Sequence, residues 1–151
     1  MRLLLVIFLL SSYAFSAQAK ETYRLYPLQI ETAEGIKNYQ VETAQTYHEQ
    51  KRGLMHRESL PPNQGMIFLH QQPKILRMWM KNTLIGLDMV FIDQFATVRH
   101  IHENAVPHDE TTISSVHPVT AVLELNAGTV AKHGIAIGDR VMLGGFYGDG
   151  G

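Results

Sequence analysis

The sequence predicts a mainly β fold (β-rich α+β): a compact single-domain sandwich or barrel with two short helices. Apolar runs rich in Val, Ile, Phe and Met recur at close spacing, as expected of buried strands. Turn-forming residues separate these runs, for example at 31–35 and 93–96. Only residues 44–52 and 126–133 favour helix. Two such short helices cannot cover both faces of a parallel sheet, so a βαβ fold is not expected.

The individual elements follow from this pattern. Thr43 is expected to cap the first helix, which Gly53 would end, and Gly134 would end the second helix. The longest irregular stretch is 106–118, and loops of that length are usually functional or mobile. Strands are expected at residues 23–30, 36–43, 65–69, 74–81, 87–93, 97–105, 119–125 and 140–146.

The N-terminus has the pattern of a signal peptide. Arg2 precedes an apolar run at 3–10, and Ala17 and Ala19 form a small-x-small cleavage site. The run is shorter than the roughly 20 residues that span a bilayer. We therefore expect cleavage after Ala19, a single domain at 20–147, a flexible tail at 148–151, and no membrane span after cleavage. The expected location is the periplasm or the medium.

Composition excludes several classes of function. The chain has no cysteine, so neither thiol chemistry nor disulfides are available. Its net charge is −1 and it has no Lys/Arg cluster, so no nucleic-acid partner is expected. It has no phosphate-binding loop and no Gly-x-Ser-x-Gly elbow, and we predict no cofactor. Protein partners and oligomeric state are left open.

Six sequence blocks resemble the DUF192 (UPF0127) family, in family order over most of the predicted mature chain. The Trp-Met-Lys-Asn-Thr block at 79–83 is the most specific of them. Gly86 and Asn126 stand where the family commonly has proline. The resemblance implies a β-barrel-like fold with short helices, often exported, and it implies no established activity. The blocks are residues 52–55, 65–68, 78–83, 87–93, 122–128 and 134–139.

Two carboxylates interrupt strands that otherwise consist of core residues. Asp88 and Glu124 could form an acid/base pair, which would make the protein a small hydrolase or lyase. Alternatively, each accepts hydrogen bonds from the backbone or from a cation such as Arg52 or Lys81. The sequence favours the structural role.

The segment around the only tryptophan predicts a ligand pocket. Trp79 could act as an aromatic platform beside the Lys81 cation, the Asn82 amide and Asp88. Arg52 and Glu124 would support this pocket. The leading hypothesis is therefore a small-molecule or carbohydrate binding accessory protein of the cell envelope. In the alternative interpretation Trp79 is a core aromatic and Asn82 caps a turn.

The histidines allow a third hypothesis. His100 and His102 are two residues apart and would share one face of a strand, with His108 in the loop that follows. Imidazoles at such spacing can bind zinc or copper. No sharper motif accompanies them, and none lies in a block shared with the family. Solvated loop histidines are therefore expected, rather than a metal-binding accessory protein.

Overall fold

A computed structural model describes residues 24–144 of the chain, so the predicted signal peptide and tail lie outside the described residues. Within that part the elements are β1 Tyr26–Thr32, β2 Gly35–Ala44, α1 Tyr47–Arg52, β3 Gln64–Lys74, β4 Arg77–Met78, β5 Leu87–Ile92, β6 Val98–Ala105, β7 Ile113–Ser114, β8 Val119–Asn126, α2 Thr129–His133 and β9 Arg140–Leu143. The predicted β-rich fold with two short helices is confirmed.

Among the described strands, seven form one sheet in the order β6-β5-β8-β3-β2-β1-β9, and β4 and β7 form a separate pair. Within the large sheet β2 and β3 run parallel, while the remaining neighbours are antiparallel. The sheet curls into a half-barrel. Its first and last strands approach each other through a bridge between Thr97 and Arg140.

Each face of the sheet carries its own hydrophobic cluster. The inner cluster draws on strands from across the sheet, including Leu28 of β1, Val90 of β5 and Leu123 of β8, and it also holds Val130 and Ile135. The outer cluster contains Met89 and Phe91 of β5 and Val122 of β8. Alternation along each strand sends neighbouring side chains to opposite faces. The outer cluster is covered by residues between the strands, namely Leu54, Leu60, Leu76 and Met80.

The prediction of a strand over residues 74–81 is wrong for most of that range. Strand β3 continues to Lys74, but only Arg77 and Met78 of the remainder pair as a strand. The chain then turns, because the Met80 N–H donates to the Asp109 carbonyl at 2.8 Å and the Thr83 N–H donates to the Met80 carbonyl at 3.0 Å. Residues after Met78 therefore form a loop, and their side chains do not alternate between two faces as predicted.

Helix α1 begins later than predicted, because β2 extends through Ala44. Thr46, rather than Thr43, is its N-cap. The Thr46 hydroxyl accepts from the Glu49 N–H at 3.2 Å, and the Glu49 carboxylate accepts from the Thr46 N–H at 2.9 Å. This reciprocal arrangement is a capping box. The predicted helix ends at Gly53 and Gly134 are confirmed.

Candidate functional site

A cleft of about 70 Å³ lies between helix α1, strand β4 and the outer face of the sheet. It brings together three of the predicted site residues, Arg52, Trp79 and Glu124. Lys51 and Arg77 also line it, although the sequence pattern did not indicate them as site residues. The apolar part of its wall is formed by Leu54, Met55, Phe68 and Met78.

Glu124 lies on β8, an interior strand of the large sheet, and is 4% exposed. Burial raises the pKa of its carboxyl to about 8, and the positive charge of Arg57 opposes this shift. At neutral pH the side chain is therefore mainly the uncharged acid. In that form it has an O–H that can donate a hydrogen bond into the cleft.

The rim of the cleft is positively charged. Lys51 and Arg52 are in the last turn of α1, where a cation is favourable beside the terminal carbonyls. Arg77 comes from β4, and all three side chains are exposed. Because Glu124 is largely neutral, it does not cancel this charge. The described lining of the cleft thus combines three basic side chains with one buried carboxyl group.

Trp79 forms an exposed aromatic wall. Its side chain is 46% exposed, which rules out the interpretation of a core aromatic. The Lys81 ammonium lies 5.4 Å from the centre of the indole ring, at the distance of a cation–π contact. Lys81 also pairs with Glu110 at 3.7 Å. Lys81 thus contacts the indole ring but is not among the residues that line the cleft.

Asn82 does not line the cleft. It is exposed and has a φ of 52°, in the left-handed region that asparagine tolerates in turns. Its carbonyl accepts from the His56 N–H at 2.9 Å. Asn82 thus has a role in a turn, as in the alternative interpretation of the sequence.

Asp88 and Glu124 do not form the acid/base pair that the sequence allowed as an alternative to a structural role. The register aligns Asp88 with Leu125 and Met89 with Glu124, and facing residues of paired strands point to the same side. The two carboxylates therefore lie on opposite faces of the sheet. Asp88 is fully buried, and its oxygens accept from the N–H groups of Asn104 and Val130, each at 2.8 Å.

A largely buried ion pair beside the cleft was not predicted from the sequence. The Arg57 guanidinium donates to both oxygens of Glu42, at 2.5 and 2.6 Å. Glu42 aligns with Met66, and Met66 aligns with Glu124, so the three side chains form a row across β2, β3 and β8. This row explains why Arg57 acts on the pKa of Glu124. Glu42 shares its side of the predicted strand 36–43 with Asn38 and Gln40, so the local pattern did not indicate this pair.

The histidines lie elsewhere. His100 and His102 line a separate cavity of about 520 Å³ against the 106–118 loop, and His108 is exposed. The His100 ring lies 5.5 Å from that of Phe91, and burial lowers its pKa, as do the charges of His102 and His117. Between residues 24 and 144, no group of three or more His, Asp or Glu side chains is arranged to hold a metal ion. Metal binding therefore gains no support here.

These features define a small β-rich domain with a cation-rimmed cleft. The chain belongs to the DUF192 family, described as "Uncharacterized ACR, COG1430", which matches residues 28–143. Neither helix of the described part is long and apolar enough to cross a membrane.

Several solved structures are similar to the chain. A candidate transcription regulator from Sinorhizobium meliloti 1021 shares 43% identity at a TM-score of 0.79, over 82% of this chain and 97% of that one. A protein of unknown function from Novosphingobium aromaticivorans DSM 12444 shares 41% identity at a TM-score of 0.77, over 78% of this chain and 84% of that one. None of the curated proteins matches the chain.

Proposed function

We propose that this protein is a ligand-binding accessory protein of the cell envelope, and that its cleft takes a small anionic molecule or an acidic sugar. One observation carries the proposal: a buried, largely uncharged Glu124 lies in the same cleft as three cations and an exposed tryptophan. The signal-peptide pattern at residues 1–19 supports an envelope location.

The chemistry of the lining selects the ligand class. Guanidinium groups at the rim bind carboxylate or phosphate oxygens through two parallel hydrogen bonds. The indole face of Trp79 packs against a planar group or the apolar face of a sugar ring. Protonated Glu124 can donate to an anionic oxygen that reaches the floor. The net charge of −1 and the absence of a Lys/Arg cluster in the sequence argue against a nucleic-acid partner.

An enzymatic role is the second candidate, and Glu124 alone favours it. A carboxylic acid that stays protonated near neutral pH in a cleft is the usual equipment of a general acid. Asp88 cannot serve as its partner, because it faces the inner side of the sheet. Such a hydrolase or lyase would therefore need an activated water or a substrate group in place of the second carboxylate.

The binding proposal can be tested by tryptophan fluorescence, because Trp79 is the only tryptophan in the chain. The protein is titrated with uronic acids, sugar phosphates, small dicarboxylates and matched neutral sugars. We expect a saturable change for at least one acidic class. Arg77→Gln should weaken that binding about tenfold or more, because a charge-assisted hydrogen bond is lost.

Arg140→Gln is the matched control, since Arg140 is also an exposed strand arginine and lies outside the cleft. It should leave the binding unchanged. The proposal fails if no compound class changes the fluorescence or the melting temperature. It also fails if both arginine variants weaken binding equally, because the charge effect would then be unspecific.

A further inference from the structure

A third cavity, of about 540 Å³, opens at one end of the half-barrel. The opposite end is filled by the segment around α2, whose Val130 packs in the inner cluster. The β5–β8 ladder orients the two ends, since Leu87 aligns with Asn126 near α2 and Ile92 aligns with Ala121 at the cavity. The half-barrel is therefore closed at one end and open at the other.

The floor of this cavity is aliphatic. Ala121 aligns with Leu69 on one side and with Ile92 on the other, and its methyl group leaves space that a larger side chain would fill. Val141 and Leu143 of β9 complete the wall. The mouth of a barrel with an apolar floor is a common place for small-molecule sites, and the volume lies within the usual range for drug-sized ligands.

The rim is polar but offers no unpaired charge among the described lining residues. The Asp93 carboxylate accepts from the N–H groups of Phe95 at 2.9 Å and Thr97 at 3.0 Å, and it pairs with Arg99 at 3.7 Å. Burial and the charge of Lys74 lower the pKa of His70, so its imidazole is mainly neutral at pH 7. The other polar lining groups are uncharged, namely Gln45, Gln71, Gln94 and Thr120.

We propose that the open end of the half-barrel is a second binding site, for an uncharged amphiphile with an aliphatic body and a hydroxyl or amide head. The aliphatic floor would bury the body of the ligand. The glutamine side chains both donate and accept, so they can satisfy a neutral head group. An ionised head would find only uncharged or already paired groups among the described lining residues and would lose its hydration. This site is independent of the Trp79 cleft.

The test uses the full chain and the uncharged fluorescent probe N-phenyl-1-naphthylamine at pH 7. We expect a saturable rise in emission. The neutral lipid 1-monododecanoylglycerol should displace the probe, and dodecanoate should need about tenfold more for the same displacement. Ala121→Phe, which fills the cavity, should weaken probe binding about tenfold or more.

Ala131→Phe adds the same ring on the exposed side of α2 and should leave probe binding unchanged. If Ala121→Phe does not fold, Ala121→Leu replaces it as the test, because leucine fills less of the cavity. The proposal is overturned if the full chain does not bind the probe, or if binding survives both folded variants of Ala121. It is also overturned if dodecanoate displaces the probe as well as the neutral lipid does.

One further outcome concerns the chain itself. Leu143 lines the cavity, and residues 145–151 follow shortly after it in the sequence. If only a chain lacking residues 145–151 binds the probe, the cavity serves the protein's own C-terminal segment and the proposed ligand is wrong.

Discussion

The Asp88 carboxylate accepts a hydrogen bond from the backbone N–H of Val130 at 2.8 Å, which ties strand β5 to the first turn of α2. Its other oxygen accepts from the Asn104 N–H on β6, also at 2.8 Å. One fully buried side chain therefore joins three elements of the fold. Since both oxygens are used in this way, Asp88 has a structural role.

Asp88→Asn should destabilise the protein by about 2–4 kcal/mol. The amide nitrogen that replaces one oxygen would face a backbone N–H, so a buried donor would lose its acceptor. Urea unfolding measures the effect. Asp139→Asn is the control, because Asp139 accepts from the Ala136 N–H in an exposed turn, and about 1 kcal/mol or less is expected there. Equal losses for the two variants would contradict the assigned role.

Glu42→Gln should cost about 2–4 kcal/mol of unfolding free energy, because it leaves the Arg57 guanidinium beside a neutral group in a largely buried site. The control is Lys37→Gln, which removes a more exposed pair with Glu34 at 3.5 Å and should cost less than about 1 kcal/mol. Both free energies come from the same chemical denaturation series. A Glu42→Gln loss no larger than that of Lys37→Gln would show that burial adds nothing to the pair.

Glu124 should make the protein less stable as pH rises from about 4.5 to 8. Its carboxyl is protonated in the folded state across this window, because burial raises its pKa to about 8, whereas it is ionised in the unfolded chain. The folded state thus binds more protons than the unfolded state. Unfolding free energy then falls with pH, by up to about 1.4 kcal/mol per pH unit.

The measurement is urea unfolding of wild type and Glu124→Gln between pH 5 and 9. Subtracting the unfolding free energy of Glu124→Gln from that of wild type removes the contribution of the histidines. This difference should fall as pH rises toward 8 and become constant above pH 8. Glu58→Gln makes the same chemical change at an exposed position, and its unfolding free energy should depend on pH as that of wild type does. A flat difference curve for Glu124→Gln would mean that its carboxyl titrates normally.

Trp79→Ala should change stability by less than about 1 kcal/mol, because almost half of the side chain is exposed. Phe91→Ala removes a fully buried aromatic from the outer cluster and should cost about 3–5 kcal/mol. Thermal and urea unfolding compare the two variants. If Trp79→Ala unfolds globally, the indole is required for stability as a core residue. Trp79 would then no longer count as part of the proposed site.

The sequence located the buried strands well, because runs such as 87–93 and 119–125 are apolar and rich in strand-forming residues. It also identified Asp88 and Glu124 as unusual. It could not relate them to each other, since the face that each occupies depends on the pairing register between two strands 30 or so residues apart, and alternation within one strand does not contain that information.

The remaining errors have similar physical causes. Met80 leaves the predicted strand because of a hydrogen bond to Asp109, which is distant in sequence. The Glu42–Arg57 pair joins a strand to a loop, so no local pattern indicates it. The N-cap could have been predicted correctly, because Glu49 lies three residues after Thr46, which is the capping-box signature. The residue three positions after Thr43 is a threonine, which does not fit that signature.

The contact between the first and last strands of the large sheet has a consequence for solubility. Backbone hydrogen bonds run from the Val141 N–H to the Ala96 carbonyl at 2.8 Å and from the Val98 N–H to the Asp139 carbonyl at 2.9 Å. They occupy backbone groups that a free sheet edge would offer to a second chain. We therefore expect these parts of the two outer strands to resist pairing with a second chain at high concentration, although the protein has neither a disulfide nor a large net charge to protect it.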